Sequence, residues 1–119
     1  QLIVFDKGLP LDTGEPYLYP MEQQAELLPK CDIVIISGTT TINGTLDSLL
    51  EMCPAAHEIV LLGPSTPMFA AGYKDTRVTR LAGSFWPKQN KKEIFRSISL
   101  AGGIKSIEKY MIKKNLKLN

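Results

Sequence analysis

Two short runs of apolar residues, most of them β-branched, constrain the fold of this chain most strongly. Residues 32–37 and 58–62 each contain an unbroken apolar stretch. A strand in the interior of a parallel sheet is buried on both faces and has this nearly continuous pattern, whereas a half-exposed strand alternates. Both runs are far shorter than the roughly 20 residues of a membrane helix. They predict a parallel sheet with helices on both faces and no membrane-spanning segment.

The remaining pattern alternates between strand and helix signals. Further β-branched runs at 2–5 and 78–82 predict two more strands, and apolar residues at helical spacing predict helices over 20–28, 43–52, 90–100 and 105–114. Residues 67–73 predict a short turn, because the segment is too short for a full crossover helix. Such an order predicts an α/β fold of Rossmann type with right-handed crossovers in a mostly parallel sheet.

The length of 119 residues predicts a single domain over residues 1–119. A Rossmann half opens with a strand, a tight loop and a helix, and this chain begins at a bare strand. We therefore expect the first strand and helix of the fold to be missing, and the chain to be the C-terminal part of a larger protein. No basic region or small-residue cleavage site marks the N-terminus, so we expect a cytoplasmic protein.

Charge is distributed unevenly along the chain. Residues 88–119 contain nine lysines and arginines against two acidic residues, although the net charge of the whole chain is only +2. A basic surface of this kind suits either a nucleic acid or the solvent-exposed faces of amphipathic helices. The basic residues alternate with apolar residues at helical spacing, which favours amphipathic helices. We expect no nucleic-acid partner.

Residue types that often form metal or nucleophile sites are scarce. Cys31, Cys53 and the single histidine, His57, have none of the usual metal-ligand spacings, so we interpret both cysteines as free, buried thiols. No metal ligand is assigned. Trp86, beside Pro87, is either a packing residue or a platform on which a ligand stacks, and we favour the packing role.

The segment after the second strand, residues 37–45, is rich in hydroxyl groups and glycine and leads into a predicted helix. Ligands bind outside the carboxyl ends of parallel strands, where backbone N–H groups and a helix N-terminus favour an anion. Ordinary helix capping, with Thr41 or Asn43 as the N-cap, explains the same composition equally well, and no Walker lysine or GxGxxG motif is present. The candidate ligand-binding residues here are Gly38, Thr39, Thr40, Asn43, Gly44 and Thr45.

Two further segments follow predicted strands. Gly63, Pro64, Ser65 and Thr66 form a loop made rigid by proline, which holds two hydroxyl groups for a ligand or only makes a tight turn. Asp6 follows the strand at 2–5, where Rossmann proteins often place an acidic residue that accepts hydrogen bonds from a ribose diol. A surface aspartate is the alternative for Asp6.

The runs at 33–45 and 61–67 resemble the putative heavy-metal chelation family, a group of domains of unknown function. The resemblance covers nearly the whole chain and rests on the Asn-Gly-Thr and Gly-Pro-Ser-Thr-Pro elements. It implies a Rossmann-like C-terminal domain, preceded by a domain similar to the N-terminal domain of enolases, with a ligand site in the cleft between them. It also implies a divalent or heavy metal as the cofactor. Members of this family often have glutamate where this chain has Asp6.

Three functions follow as hypotheses. The first is that the chain binds a metal or a metal-bearing small molecule in an interdomain cleft, with a missing N-terminal domain of the same protein as its partner. The second is a module for a nucleotide-like cofactor, either S-adenosylmethionine or a dinucleotide. The third is a scaffold that forms a homodimer. Fold alone does not decide among them, and the sequence identifies no catalytic reaction.

Overall fold

The computed structural model of the protein describes residues 1–118; Asn119, the last residue of the predicted domain, lies outside the described residues. Four strands form one sheet, β1 (Ile33–Ser37), β2 (Glu58–Leu62), β3 (Arg80–Phe85) and β4 (Ile112–Lys117), and they lie in that order. Strands β1, β2 and β3 are parallel, and β4 pairs antiparallel with β3. The prediction of a mostly parallel α/β fold is confirmed.

The helices are short. They are α1 (Gln24–Leu27), α2 (Leu46–Glu51), α3 (Lys91–Ser99) and α4 (Ile104–Ile107). Single 3₁₀ turns occupy Leu11–Thr13, Met21–Gln23, Leu28–Lys30, Gly38–Thr41, Ala70–Tyr73, Lys88–Asn90 and Glu108–Tyr110. Among residues 1–118, no helix has both the length and the apolar character needed to cross a membrane.

The core lies against one face of the sheet. Strand β2 lies between β1 and β3, and on the core face its residues Ile59 and Leu61 are completely buried together with Leu81 of β3. The buried cluster around them consists of Leu28, Val34, Ile36, Leu50, Cys53, Ala56, Tyr73 and Val78. Burial of a large aliphatic side chain contributes about 1.5–3 kcal/mol. This cluster fixes how the three parallel strands sit against one another.

The opposite face of β1 is exposed. Ile33 and Ile35 alternate with the buried Val34 and Ile36, and their exposed fractions are 59% and 64%. The expectation that both apolar runs are buried on two faces is therefore wrong for β1, and in β2 only one face is fully buried, since Leu62 is 49% exposed. Within residues 1–118, other side chains bury only one face of β1. An apolar run by itself does not show which element packs on each face.

Three predicted elements differ in the structure. The helix predicted over 20–28 contains only one α-helical turn, α1, between two 3₁₀ turns. The segment 2–5 is not a strand of the sheet: Val4 forms one parallel bridge with Leu18, through hydrogen bonds with Tyr17 and Tyr19 of the next segment. The predicted helix at 105–114 ends at Ile107, and the chain then pairs with β3 as strand β4. Helices of about ten residues are marginal alone, so pairing along the whole of β3 outweighs the local helical pattern.

Other elements match the predictions closely. Strand β2 has the predicted bounds, β1 begins one residue later than predicted, and α3 is one residue shorter than predicted at each end. Helix α2 begins at Leu46, three residues later than predicted, because residues 43–45 form a separate turn. Strand β3 is shifted toward the C-terminus, so that Ser84 and Phe85, expected to follow the strand, belong to it.

A polar contact ties three strands together on the exposed face. Arg80 of β3 donates from Nε to Oε1 of Glu58 in β2 at 2.8 Å, and its Nη1 donates to Oδ1 of Asn115 in β4 at 3.2 Å. The hydrogen bond from Arg80 lowers the pKa of Glu58. The pKa of Glu58 is lower in the folded protein than in the unfolded chain. The pair with Arg80 therefore stabilises the protein fully at pH values above the unfolded pKa of Glu58, and this stabilisation is lost as the pH falls through the folded pKa.

A first prediction contrasts the two faces of the sheet. Replacing Ile59, which is completely buried, with alanine should lower the free energy of unfolding by about 2–5 kcal/mol, because the change leaves a cavity in the core. The same change at Ile33, on the exposed face, should lower it by at most about 1 kcal/mol. Urea denaturation of both variants measures the difference. Equal losses would contradict the described burial.

A second prediction concerns pH. Glu58→Gln removes the charged acceptor of Arg80, so the variant should be less stable than the original protein at neutral pH. The difference should shrink as pH falls below about 4.3, the ordinary value for glutamate, and through the lower folded pKa of Glu58. Denaturation curves across this range, at constant ionic strength, test it. A difference that does not change with pH would show that the charge of Glu58 contributes nothing.

Candidate functional site

The loops after the parallel strands lie at one edge of the sheet. Strands β1, β2 and β3 run in the same direction, so Ser37, Leu62 and Phe85 end them on the same side. The hydroxyl-rich segment 37–45 follows β1, and the segment 63–67 follows β2. The structure thus brings the two main predicted loops to the edge where open α/β sheets bind ligands.

The segment after β1 is held by its own hydroxyl groups. Residues Gly38–Thr41 form a 3₁₀ turn. Oγ1 of Thr40 donates to the carbonyl of Ser37, and Oγ1 of Thr41 donates to the carbonyl of Gly38, each at 2.8 Å. Because each hydroxyl has one proton, these two threonines can offer a ligand only acceptor lone pairs in this geometry.

Ser37 and Thr39 present a different kind of polar group. Both side chains are exposed, and their hydroxyl oxygens lie 2.9 Å apart, with either one able to donate. One hydroxyl proton of the pair is therefore free for a ligand. Oγ of Ser37 also accepts from the backbone N–H of Thr39 at 3.4 Å, which orients it as the cap of the turn.

The Asn-Gly-Thr element forms a closed turn before α2. Oδ1 of Asn43 accepts from the backbone N–H of Thr45 at 3.2 Å and from its hydroxyl at 2.7 Å. Gly44 has φ of +72°, a conformation that favours glycine. The N-cap position of α2 is Thr45, not the predicted Thr41 or Asn43, since the turn delays the start of the helix. Local turn geometry explains this element without a ligand.

The loop after β2 is a tight turn. The N–H of Thr66 donates to the carbonyl of Gly63 at 3.0 Å, and the N–H of Gly63 donates to Ala82 of β3 at 2.9 Å. Gly63 has φ of +116°, which a residue with a side chain rarely adopts. Pro64 is exposed and Ser65 half-buried, so the hydroxyl of Ser65 is the more accessible of the two predicted in this loop.

Thr66 is the point where the three strand ends meet. A Cβ atom on Gly38 would lie 2.5 Å from both N and Oγ1 of Thr66, and one on Gly83 of β3 would lie 3.1 Å from Cβ of Thr66. Thr66 is 4% exposed, and its hydroxyl has no hydrogen-bond partner among the described residues. Gly38 therefore permits close packing of the two loops. The sequence did not identify Gly83, because its contact with Thr66 depends on the pairing of β2 with β3.

A cavity of about 190 Å³ opens beside the first loop. It is lined by Thr40, Thr41, Gly44, Leu46 and Asp47. Asp47 was missed from the sequence because it lies inside a predicted helix; in the structure it occupies the first turn of α2 and is exposed. Its carboxylate gives the cavity one negative charge beside the threonine oxygens. This composition favours a cationic or hydroxyl-bearing group over a phosphate.

Asp6 lies in an exposed turn, where its Oδ1 accepts from the N–H of Gly8 at 2.7 Å. Across residues 1–118, no hydrogen bond connects Asp6 to either loop. Its role as a ligand residue stays a prediction.

The cysteines lie away from this edge. Cys31 precedes β1, and Cys53 follows α2 and is completely buried, with a pKa raised by burial. Their Sγ atoms donate to the carbonyls of Leu27 and Leu49. The described part of the chain contains no group of three His, Cys, Asp or Glu side chains that could hold a metal ion. Its own side chains therefore do not fit direct chelation of a soft metal, which prefers thiolates.

Comparison with known families gives one match over almost the entire chain. A family model, DUF364, described as "Putative heavy-metal chelation", matches residues 1–117. An uncharacterized protein of Methanocaldococcus jannaschii is 38% identical over 58 residues, which are 49% of this chain and 22% of that protein.

Two solved structures are similar in fold and sequence. A protein with unknown function from the DUF364 family of Pyrococcus horikoshii has a TM-score of 0.81 and 27% identity, over 98% of this chain and 46% of its own. Another, from Desulfitobacterium hafniense DCB-2, has a TM-score of 0.72 and 28% identity, over 87% of this chain and 41% of its own. This chain therefore spans less than half the length of these relatives.

A third prediction compares two buried threonines. Thr66→Val keeps the shape and removes a hydroxyl without a partner, so the free energy of unfolding should stay unchanged or rise by about 1 kcal/mol. Thr40→Val removes the donor to Ser37 and should lower it by about 1 kcal/mol. Thermal denaturation of the pair provides the measurement. Comparable destabilisation by both changes would show that the hydroxyl of Thr66 has a partner.

Proposed function

Because the chain belongs to the putative heavy-metal chelation family, we propose that the loop edge of its sheet forms one wall of a pocket for a metal-bearing small molecule. The observation that carries the proposal is the cavity with threonine oxygens and the Asp47 carboxylate at the carboxyl end of β1. The other wall belongs to a second domain of the same protein, and residues 1–119 form a single Rossmann-like domain. The first hypothesis from the sequence is retained in this narrower form.

The oxygen atoms that line this cavity determine which group can coordinate a metal there. The cavity contains hydroxyl oxygens and one carboxylate, and the thiols of Cys31 and Cys53 lie away from it. Heavy, soft metals bind thiolate and imidazole ligands in preference to neutral oxygens. The metal is thus held by the small molecule or by the second domain. This chain contacts the organic part through the carboxylate of Asp47 and the hydroxyl oxygens of Thr40 and Thr41, which line the cavity. The exposed hydroxyls of Ser37 and Thr39 lie in the same loop.

The size of the cavity supports a shared pocket. Its volume of about 190 Å³ is below the roughly 300–1,000 Å³ of a complete site for a small molecule. The chain covers 46% of the length of the structure from Pyrococcus horikoshii. A relative of more than twice this length has enough additional chain to supply the second wall. The residues predicted from the sequence then have two different roles. The hydroxyl oxygens that line the cavity contact the ligand, whereas Gly38, Gly63 and Thr66 determine the conformation and packing of the loops.

One observation favours a second candidate, a module that binds S-adenosylmethionine. The carboxylate of Asp47 opposes the phosphates of a dinucleotide but suits a ligand with a positive sulfonium and a ribose diol. Hydroxyl and glycine residues at the end of a parallel strand are compatible with either cofactor. The metal-bearing molecule and S-adenosylmethionine are therefore tested side by side.

A fourth prediction tests this proposal by melting temperature, on the full-length protein with both domains, purified without a metal-binding tag. The complex of nickel with two histidine molecules, whose amine and imidazole N–H groups can donate to the carboxylate of Asp47, should raise the melting temperature by about 5 °C at about tenfold excess over its Kd, and free Ni²⁺ should not. Asp47→Asn should remove the shift. Ser48→Ala changes the adjacent residue of α2, which does not line the cavity, and should keep it.

The outcomes separate the candidate functions. A shift caused by free Ni²⁺ and unaffected by Asp47→Asn would contradict the proposal, as would the absence of any shift with the complex. A shift with S-adenosylmethionine alone, lost in Asp47→Asn, would support the second candidate instead. A homodimer that responds to neither ligand would favour the scaffold hypothesis.

A further inference from the structure

A second cavity, of about 210 Å³, opens where β3 ends and α3 begins. It is lined by Trp86, Pro87, Lys88, Lys91, Ile94 and Phe95. It shares no lining residue with the cavity beside Asp47, and it follows the third of the parallel strands. A ligand in this second cavity would therefore not occupy the site of the proposed function.

The local sequence explains why these side chains converge. Pro87 has φ of −62° and ψ of 132°, an extended conformation that turns the chain from β3 into the 3₁₀ turn at Lys88–Asn90. Ile94 is the buried residue of α3, 8% exposed. Lys91 and Phe95 are four residues apart in α3 and therefore lie on the same side of the helix, with Nζ of Lys91 5.4 Å from the centre of the Phe95 ring.

The surface of this cavity is mainly apolar and aromatic. Trp86 is half-buried, so part of its ring is accessible, and the ring of Phe95 is 58% exposed. Exposed aromatic rings that face a cavity offer a large apolar area with little conformational freedom to lose. A flat ligand can stack against the rings of Trp86 and Phe95. The packing role favoured for Trp86 from the sequence accounts for only part of its surface.

The rim of the cavity is positively charged. Lys88 and Lys91 are exposed, and no acidic residue lines the cavity. Within the described residues, the salt bridges involve Lys30 and Arg80 and neither of these two lysines. Two ammonium groups without a carboxylate partner favour an anion at the mouth. The lysine Nζ and carboxylate oxygens form charge-assisted hydrogen bonds.

We propose that this cavity binds a small aromatic carboxylate, with the ring against Trp86 and Phe95 and the carboxylate between Lys88 and Lys91. The volume is below that of a typical complete drug-sized site, which restricts the ligand to one ring with a short acidic arm. The charge of this cavity is opposite to that of the cavity beside Asp47, so the two select different ligands.

Intrinsic fluorescence tests the inference, because Trp86 is the only tryptophan of the chain. Phenylacetate is the probe, and phenylacetamide is its uncharged counterpart of nearly equal shape. Phenylacetate should change the emission of Trp86 saturably and bind at least about threefold more tightly than phenylacetamide, a ratio typical of an exposed ion pair. Added salt should weaken the binding of phenylacetate and leave that of the amide unchanged.

Two lysine variants provide the matched comparison. Lys91→Gln should weaken the binding of phenylacetate by about threefold, to an affinity close to that for phenylacetamide. Lys92→Gln removes the same charge one residue away and outside the cavity, and it should change the affinity for phenylacetate by less than about twofold. Both side chains are exposed, so both variants should fold, as circular dichroism would verify.

Equal binding of the acid and the amide, equal effects of the two variants, or an emission that does not saturate would each overturn the proposal. An unfolded Lys91→Gln variant would be replaced by Lys88→Gln, for which the same loss of preference is expected.

Discussion

The complete burial of Ile59 and Leu61 on one face of the middle strand is the constraint on which the rest of the structure depends. Ile59 and Leu61 of β2 and Leu81 of β3 are shielded from water, and the observed register places them beside the buried Val34 and Ile36 of β1 on the same face of the sheet. Parallel pairing in that register brings the carboxyl ends of all three strands to one edge. The apolar core thus decides where the loops lie, and the loops then decide which polar groups meet.

At that edge, close packing determines which groups remain for a ligand. The absence of a side chain at Gly38 allows the first loop to pack directly on Thr66, and the hydroxyls of Thr40 and Thr41 are used to hold the turn. Donors that satisfy the backbone are not free for a ligand. The exposed hydroxyls of Ser37 and Thr39 and the carboxylate of Asp47 are the groups that can still interact, and these are fewer than the composition of the loop indicates.

Two cavities of opposite charge follow β1 and β3, the strands on either side of β2. One has threonine oxygens and Asp47, and the other has aromatic rings and two lysines. The charge of each cavity distinguishes their ligands more than the cavity volume does, because the two volumes are nearly equal. Neither cavity has the ligands for a soft metal, so membership in a family named for heavy-metal chelation does not imply that this part of the chain coordinates the metal itself.

The sequence by itself determined the elements whose signals are local. The unbroken apolar run at β2, the amphipathic period of α3 and the position of both loops after strands were predictable from neighbouring residues. Tertiary structure alone decided that residues 112–117 form a strand, because the partner that stabilises them, β3, lies about thirty residues earlier in the chain. It also decided that Gly83 packs near Thr66 and that Asp47 lines a cavity. Contacts between distant segments depend on packing and register, which no local period encodes.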